Sequence, residues 1–124
     1  MFQIKTVLDK SQAEEYIKKN GIEIELADKF VMCAWEDGRF AGVGVAVIEP
    51  DYGEICLIKC DGDLDVFMGK SLLNAFDNGG INKAICRRAE LFGLMRRLGF
   101  KQLENGLMSL DLDGYFSTGC SHGC

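Results

Sequence analysis

The chain has 124 residues, of which 48% are hydrophobic and 27% charged, and its formal net charge is −5 at pH 7. This length suits one domain with one core, and the ordinary composition argues against a disordered chain. The acidic balance argues against nucleic acid or anionic lipid as the main partner. The N-terminus lacks the layout of a signal peptide, and no apolar run is long enough to cross a bilayer, so we expect a cytoplasmic protein with no membrane partner.

The N-terminal half is predicted to contain a strand, a short helix and three further strands. The first strand covers residues 2–8. Ser11 and Glu14 match a capping box, which predicts an amphipathic helix that ends near Asn20. The three strands that follow cover residues 30–35, 40–48 and 54–60. Short turns join them, the first at Asp37-Gly38, and this pattern predicts an antiparallel meander.

The C-terminal half alternates between helix and strand. Helices are predicted over residues 65–78 and 88–98, with a strand over residues 83–86 between them. A closing hairpin is predicted over residues 100–104 and 107–112. A helix that joins two parallel strands makes the sheet mixed. The sequence therefore predicts one α/β domain over residues 1–114, with helices on both faces of the sheet, and a tail over residues 115–124.

Three short motifs, in this order along the chain, resemble parts of the GNAT N-acetyltransferase superfamily. They are Glu36-Asp-Gly-Arg-Phe-Ala-Gly-Val-Gly44, Gly69-Lys-Ser-Leu-Leu73 and Leu98-Gly-Phe100. The element order is also similar, over residues 2–112. The resemblance implies the GNAT fold, acetyl-CoA bound in a cleft between the fourth and fifth strands, and transfer of the acetyl group to a small-molecule amine.

The resemblance also implies which residues would contact the cofactor. They lie at the end of the fourth strand and near the start of the helix that follows: Ile58, Lys59, Cys60, Met68, Gly69, Lys70 and Ser71. A helix start holds phosphate because it offers free amides and a positive dipole end. Glu36 and Glu54 are candidate bases that could accept a proton from the amine through a water molecule.

The chain departs from the family pattern in the loop that binds pyrophosphate. Leu64 stands at the leading Gln/Arg position, and Phe67 stands at the first loop glycine. The carboxylates of Asp61, Asp63 and Asp65 lie where a charged cofactor would rest, and they are most simply interpreted as caps of the helix.

Two further departures concern the last helix. Met95 occupies the position of a tyrosine that often protonates the departing thiolate in this family, and Arg88 replaces an asparagine. These differences favour an alternative hypothesis, a non-catalytic GNAT-like module that has lost CoA and binds another ligand or a protein partner. Many members need no tyrosine, because proximity alone can drive aminolysis.

The six cysteines raise a separate question. Cys33 and Cys56 lie in predicted strands, where a reduced thiol behaves as a small apolar residue, and we expect all six to be reduced.

The C-terminal tail holds Cys120, His122 and Cys124, which are suitable ligands for zinc or copper. A fourth ligand would come from Cys60, Cys86 or a second subunit. Thiol redox chemistry and a simply mobile chain end are the alternatives. Exposed strand edges make a homodimer plausible.

Overall fold

The computed structural model describes residues 1–116 as one mixed sheet of seven strands with three α-helices. The strands are β1 (Phe2–Thr6), β2 (Phe30–Glu36), β3 (Arg39–Ile48), β4 (Gly53–Cys60), β5 (Lys83–Cys86), β6 (Lys101–Gln102) and β7 (Met108–Asp111). The helices are α1 (Ser11–Lys19), α2 (Asp65–Asn78) and α3 (Phe92–Leu98), the last preceded by a 3₁₀ turn at Ala89–Leu91. None of the helices in residues 1–116 has the length and apolar character needed to cross a membrane.

The strand order is β1-β2-β3-β4-β5-β7-β6. Strands β2 to β4 form the predicted antiparallel meander, and β1 pairs antiparallel with β2. Strands β4 and β5 are parallel, as a helical connection through α2 requires. The turn between β2 and β3 falls at Asp37-Gly38, where both residues have positive φ (52° and 81°). Glycine fits such a turn because it lacks the Cβ that makes this conformation costly. The mixed α/β sheet predicted from the sequence is therefore confirmed.

Helices cover both faces of the sheet, which is also confirmed. On one face, α2 and α3 pack against residues of β2, β3, β4, β5 and β7 to form the larger core. Its most deeply buried large side chains are Ile55, Met68, Leu72, Leu73, Phe76, Met95, Met108 and Leu112. On the other face, α1 covers β2, β3 and β4 over a smaller core of Ala13, Ile17, Leu26, Val31, Cys33, Val43, Val45 and Cys56.

The capping box predicted at the start of α1 is wrong. Ser11 is the first helical residue, and Lys10 precedes it at the N-cap position. The Ser11 hydroxyl donates to Asp9 Oδ1 at 2.7 Å, and the Ser11 amide donates to the same oxygen at 3.0 Å. Asp9 therefore satisfies the helix start from two residues upstream, in place of a reciprocal bond between Ser11 and Glu14.

One lysine side chain bonds to three backbone oxygens of the segment that joins α1 to β2, residues 20–29. Lys10 Nζ donates to the backbone oxygens of Leu26 (2.7 Å), Ala27 (3.2 Å) and Lys29 (2.7 Å). An ammonium group has three protons, so these bonds use its full donor capacity. Leu26 is buried in the smaller core, and Lys10 therefore stabilises the path of the chain into β2.

Candidate functional site

Strands β4 and β5 run side by side for only two residue pairs. Gly53 pairs with Ala84, and Glu54 pairs with Ile85. Within residues 1–116, no strand pairs with that side of β4 over residues 55–60. An unpaired strand side offers N–H and C=O groups to any extended chain that lies beside it. We call this open side of β4, residues 55–60, the β4–β5 cleft.

A β-bulge accounts for the opening. Val45 of β3 faces Leu57 of β4. The next residue of β3, Ala46, faces Ile55, so Cys56 is the extra residue of the bulge. A bulge bends the strand that carries it and increases its twist. Strand β4 therefore turns away from β5 directly after their short ladder.

The far end of β4 stays close to β3 at Gly42. A Cβ on this glycine would lie 2.5 Å from Cys60 Sγ and 2.8 Å from Cys60 Cα. The next backbone amide, that of Asp61, donates to the oxygen of Ala41 at 2.7 Å. The absence of a side chain at Gly42 permits this approach, and the opening is consequently confined to the β5 side of β4.

Carboxylates surround the start of α2. Asp61 Oδ1 accepts a hydrogen bond from the Tyr16 hydroxyl at 2.8 Å, and Asp65 Oδ1 accepts one from the Val66 amide at 3.0 Å. Burial, followed by the bond to Asp61, raises the pKa of Tyr16. Asp63 is exposed. Negative charge near a helix start repels a second anion, so this end of α2 does not fit a pyrophosphate.

The predicted cofactor residues of β4 border the cleft. Ile58 is buried in the larger core, Cys60 is half-buried and packs against it, and Lys59 is exposed. The faces of a strand alternate, so Lys59 lies on the α1 face, opposite the other two.

The predicted cofactor residues of α2 lie one turn inside the helix. The helix begins at Asp65, so the amides of residues 68–71 bond within it, and the free amides are those before Met68. Met68 and Gly69 are buried in the core, whereas Lys70 is exposed. The Ser71 hydroxyl donates to the Phe67 oxygen at 2.8 Å. The contact of these four residues with a cofactor stays a prediction.

The two candidate bases lie at opposite ends of the sheet. Glu54 belongs to the two-pair ladder at the base of the cleft, and its Oε2 accepts a hydrogen bond from Arg87 Nε at 3.2 Å. Glu36 ends β2 and shares a pocket with Asp61, at the other end of β4. Glu54 and Cys60 are six positions apart along an extended strand, a distance of about 20 Å. Of the two carboxylates, Glu54 is the one beside the cleft.

An acidic pocket of about 540 Å³ lies between the β2–β3 turn and the loop after β4. The rings of Phe2 and Phe67 meet in it with centroids 4.9 Å apart, and Phe67 is 49% exposed. Its charged lining residues are Glu36, Asp37, Arg39, Asp61 and Asp63. This pocket was not predicted from the sequence, because Phe2 and Phe67 are distant in the chain. The signal available in the sequence was Phe67, an aromatic residue at an exposed position of α2.

Cys60 and Cys86, the two candidates for a fourth metal ligand, end the neighbouring parallel strands β4 and β5, but their thiols do not converge. β5 has four residues and pairs with the beginning of β4, so Cys86 lies well before Cys60 along the sheet. Burial raises the pKa of Cys60 to about 12 and that of Cys86 to about 11. Both groups are therefore protonated at neutral pH and are poor nucleophiles.

Within residues 1–116, no group of three or more histidine, cysteine, aspartate or glutamate residues could hold a metal ion. The predicted ligands Cys120, His122 and Cys124 lie outside the described residues, so the zinc or copper site stays a prediction. The first residues of the predicted tail, Tyr115 and Phe116, pack against the larger core.

The position of the family's tyrosine is occupied by a core residue. Met95 is fully buried, and a thioether has no proton to donate. The Tyr115 hydroxyl reaches the same helix but donates to the backbone oxygen of Leu98 at 2.7 Å. This bond satisfies a carbonyl at the end of α3.

Several solved acetyltransferases share this fold. The aminoglycoside 6′-N-acetyltransferase from Enterococcus faecium has a TM-score of 0.72 at 10% identity, over 89% of this chain and 97% of that one. The ribosomal-protein-S18-alanine N-acetyltransferase from Escherichia coli has a TM-score of 0.65 at 13% identity, over 90% and 94%. A GNAT family acetyltransferase from Elizabethkingia anophelis with acetyl-CoA bound has a TM-score of 0.61 at 13% identity, over 90% and 98%. No family model and no curated protein matches the chain by sequence.

Proposed function

The chain has the GNAT fold, and we propose that it is an acyltransferase that uses acetyl-CoA or a related thioester to acylate an amine. The observation that carries the proposal is the separation of β4 from β5 after two residue pairs. The similarity to acetyltransferases, one of which has acetyl-CoA bound, supports the proposal.

The open side of β4 fits the amide-containing arm of CoA. Residues 55–60 present backbone donors and acceptors on their β5 side, and an extended arm with two amides can pair with them as a strand would. The bulge at Cys56 keeps this side open without a change in the fold. We therefore assign the thioester arm to the β4–β5 cleft.

The thioester supplies an activated acyl group that a neutral amine can attack, with formation of a C–N bond and loss of the C–S bond. Glu54 lies beside the cleft and accepts the amine proton, directly or through one water molecule. Arg87, bound to Glu54 Oε2, orients the carboxylate. Because Met95 cannot donate a proton, the departing thiolate takes its proton from water.

Binding is tested by thermal unfolding with acetyl-CoA, free CoA and no ligand. We expect acetyl-CoA at about ten times its dissociation constant to stabilise the fold by about 1.4 kcal/mol. If millimolar acetyl-CoA produces neither a shift in the melting temperature nor calorimetric heat, the proposed function is ruled out.

The role of Glu54 is tested with two matched variants. Glu54→Gln keeps a hydrogen-bond acceptor for Arg87 but removes the base, so the rate of acetyl transfer should fall about a hundredfold at unchanged acetyl-CoA affinity. Glu36→Gln is the control, since Glu36 lies at the other end of the sheet, and it should change the rate less than twofold. Mass spectrometry of the acetylated amine measures both rates, and equal losses would remove Glu54 from the mechanism.

Binding without catalysis is the second candidate function, and the acidic pocket favours it. Four carboxylates and the Phe2–Phe67 ring pair surround this pocket beside a single arginine, a combination suited to an organic cation. Slow acetyl transfer that is lost in Glu54→Gln would exclude a non-catalytic module.

A further inference from the structure

We propose that the amine acceptor is an α-amino acid, whose carboxylate binds the Arg87 guanidinium while its amine faces Glu54. The inference rests on the proposed function and names the substrate class for the same site. Arg87 and Glu54 are in contact, and each keeps bonding capacity that a ligand can use.

Glu54 stands in a row of residues that crosses the sheet on one face. It pairs with Ile85 of β5, and Ile85 pairs with Ser109 of β7. On its other side, Glu54 pairs with Val47 of β3, which packs against the smaller core under α1. Residues that face each other across neighbouring strands lie on the same face of the sheet. The row therefore lies on the α1 face.

Within residues 1–116, no helix covers the α1 face at β5 and β7. The smaller core beneath α1 contains residues of β2, β3 and β4, and none of β5, β6 or β7. Arg87 reaches this uncovered face, because its Nε lies 3.2 Å from Glu54 Oε2. The Arg87 side chain is 60% exposed, so a small molecule can approach the guanidinium from the α1 side.

The contact between Glu54 and Arg87 uses only part of what the two groups can bind. A guanidinium has five N–H donors, and a carboxylate has two oxygens that accept hydrogen bonds. The contact joins Arg87 Nε to Glu54 Oε2. Within residues 1–116, the two Nη groups of Arg87 and the Oε1 of Glu54 make no hydrogen bond. Free donors and a free acceptor therefore lie side by side next to the cleft.

An α-amino acid matches this arrangement, because its amine and its carboxylate are bonded to one carbon atom. The planar fork of Arg87 can donate two parallel hydrogen bonds from its Nη groups to the carboxylate. The amine then lies beside Glu54 Oε1, which accepts the proton that the ammonium group loses before it attacks the thioester. Binding through Arg87 thus brings the nucleophile to the base of the cleft.

Charge on the same face favours an acceptor with a negative group. Lys83 of β5 pairs with Asp111 of β7, and their opposite charges offset each other. Lys101 of β6 is exposed and pairs with Ser109, in the row that contains Glu54. It lies two strand spacings from β5, about 10 Å, which is about the screening length at 0.1 M salt. The positive charges near the row therefore outnumber its single carboxylate, although the net charge of the chain is −5.

The inference is tested with the full chain, acetyl-CoA and two sets of acceptors, the twenty standard amino acids and their α-amides. An α-amide keeps the amine and the side chain and loses only the negative charge. We expect kcat/KM for the preferred amino acid to exceed that for its own amide about tenfold, because the amide cannot form charge-assisted bonds with Arg87. Mass spectrometry of the acetylated products measures both rates.

Variants of Arg87 separate substrate binding from the orientation of Glu54. Arg87→Ala should raise KM for the preferred amino acid about tenfold and bring the ratio of the acid and amide rates to about 1. Arg87→Lys, which keeps the charge without the fork, should retain part of the preference for the acid. Arg97→Ala is the control, because Arg97 is exposed in the last turn of α3, and it should leave the ratio unchanged.

The other outcomes distinguish this inference from the proposed function. If Arg87→Ala lowers the acid and amide rates equally and the preference for the acid persists, Arg87 only orients Glu54 and the inference is overturned. If the wild-type chain acetylates the amides as fast as the acids, the inference fails and the proposed function stands. If it acetylates neither set, the inference also fails, and stabilisation by acetyl-CoA decides the proposed function separately.

Discussion

At Gly42, the space between β3 and β4 is too small for any side chain. We expect Gly42→Ala to destabilise the fold by about 1 to 3 kcal/mol, because the new methyl group would overlap the Cα and Sγ atoms of Cys60. Urea unfolding measures the change. The backbone atom in this contact cannot rotate away, so the strand itself would have to move.

The matched control for this substitution is Gly93→Ala. Gly93 lies in α3, and apart from its chain neighbours and the backbone of its own helix, a Cβ there would meet no atom within 4 Å among the described residues. Alanine should therefore stabilise the helix by about 0.5 to 1 kcal/mol. Equal effects of the two variants would mean that Gly42 is not a point of close approach.

The side chain of Lys10 restrains the segment before β2 through its bonds to three backbone oxygens. Lys10→Met should destabilise the fold by about 1 to 2 kcal/mol, because the oxygens of Leu26 and Lys29 lose their donor. Hydrogen exchange over residues 22–29 should also become faster. Lys19→Met, at an exposed position near the end of α1, is the control, and similar exchange in both variants would contradict the role of Lys10.

At the scale of elements, periodicity and turn residues were sufficient to predict most of the fold. The bounds of α2 and β5 agree with the prediction, because Gly79-Gly80 ends the helix and a short apolar run follows it. The start of α1 was predicted wrongly because Ser11 and Asp9 are both suitable caps, and sequence does not show which one accepts the helix amides.

The candidate site could be predicted from the sequence less completely than the fold. The bulge at Cys56 and the two-pair ladder are features of register, and register depends on how strands meet in space. Glu54 and Arg87 are far apart in the chain and come together only through this parallel pairing. For the same reason, the sequence predicted Glu36 and Glu54 as equal candidates.

The stability of the whole molecule should fall at alkaline pH. Burial raises the pKa of Cys33 to about 11 and that of Cys60 to about 12, from an ordinary value of 9.0. Above about pH 9 the unfolded chain releases thiol protons that the folded chain retains. The stabilisation from the protonated thiols is therefore complete below pH 9 and is lost as the pH rises toward 12.

Urea midpoints measured between about pH 8 and pH 10.5 test this expectation. The midpoint should decrease across the range, and the decrease should be smaller in Cys60→Ala, which lacks the thiol with the pKa of about 12. A urea midpoint that does not change with pH in the wild-type chain would contradict the expected loss of stability at alkaline pH.

The two-pair ladder also bears on how the two halves of the molecule depend on each other. Within residues 1–116, the backbone ladder between strands β1 to β4 and strands β5 to β7 has two residue pairs, Gly53–Ala84 and Glu54–Ile85. This is too little backbone bonding to couple the folding of the two halves. The larger core, in which α2 touches residues from both halves, supplies the rest. The two halves therefore fold cooperatively mainly through the buried face of α2. The β4–β5 cleft can stay open with little loss of folding cooperativity.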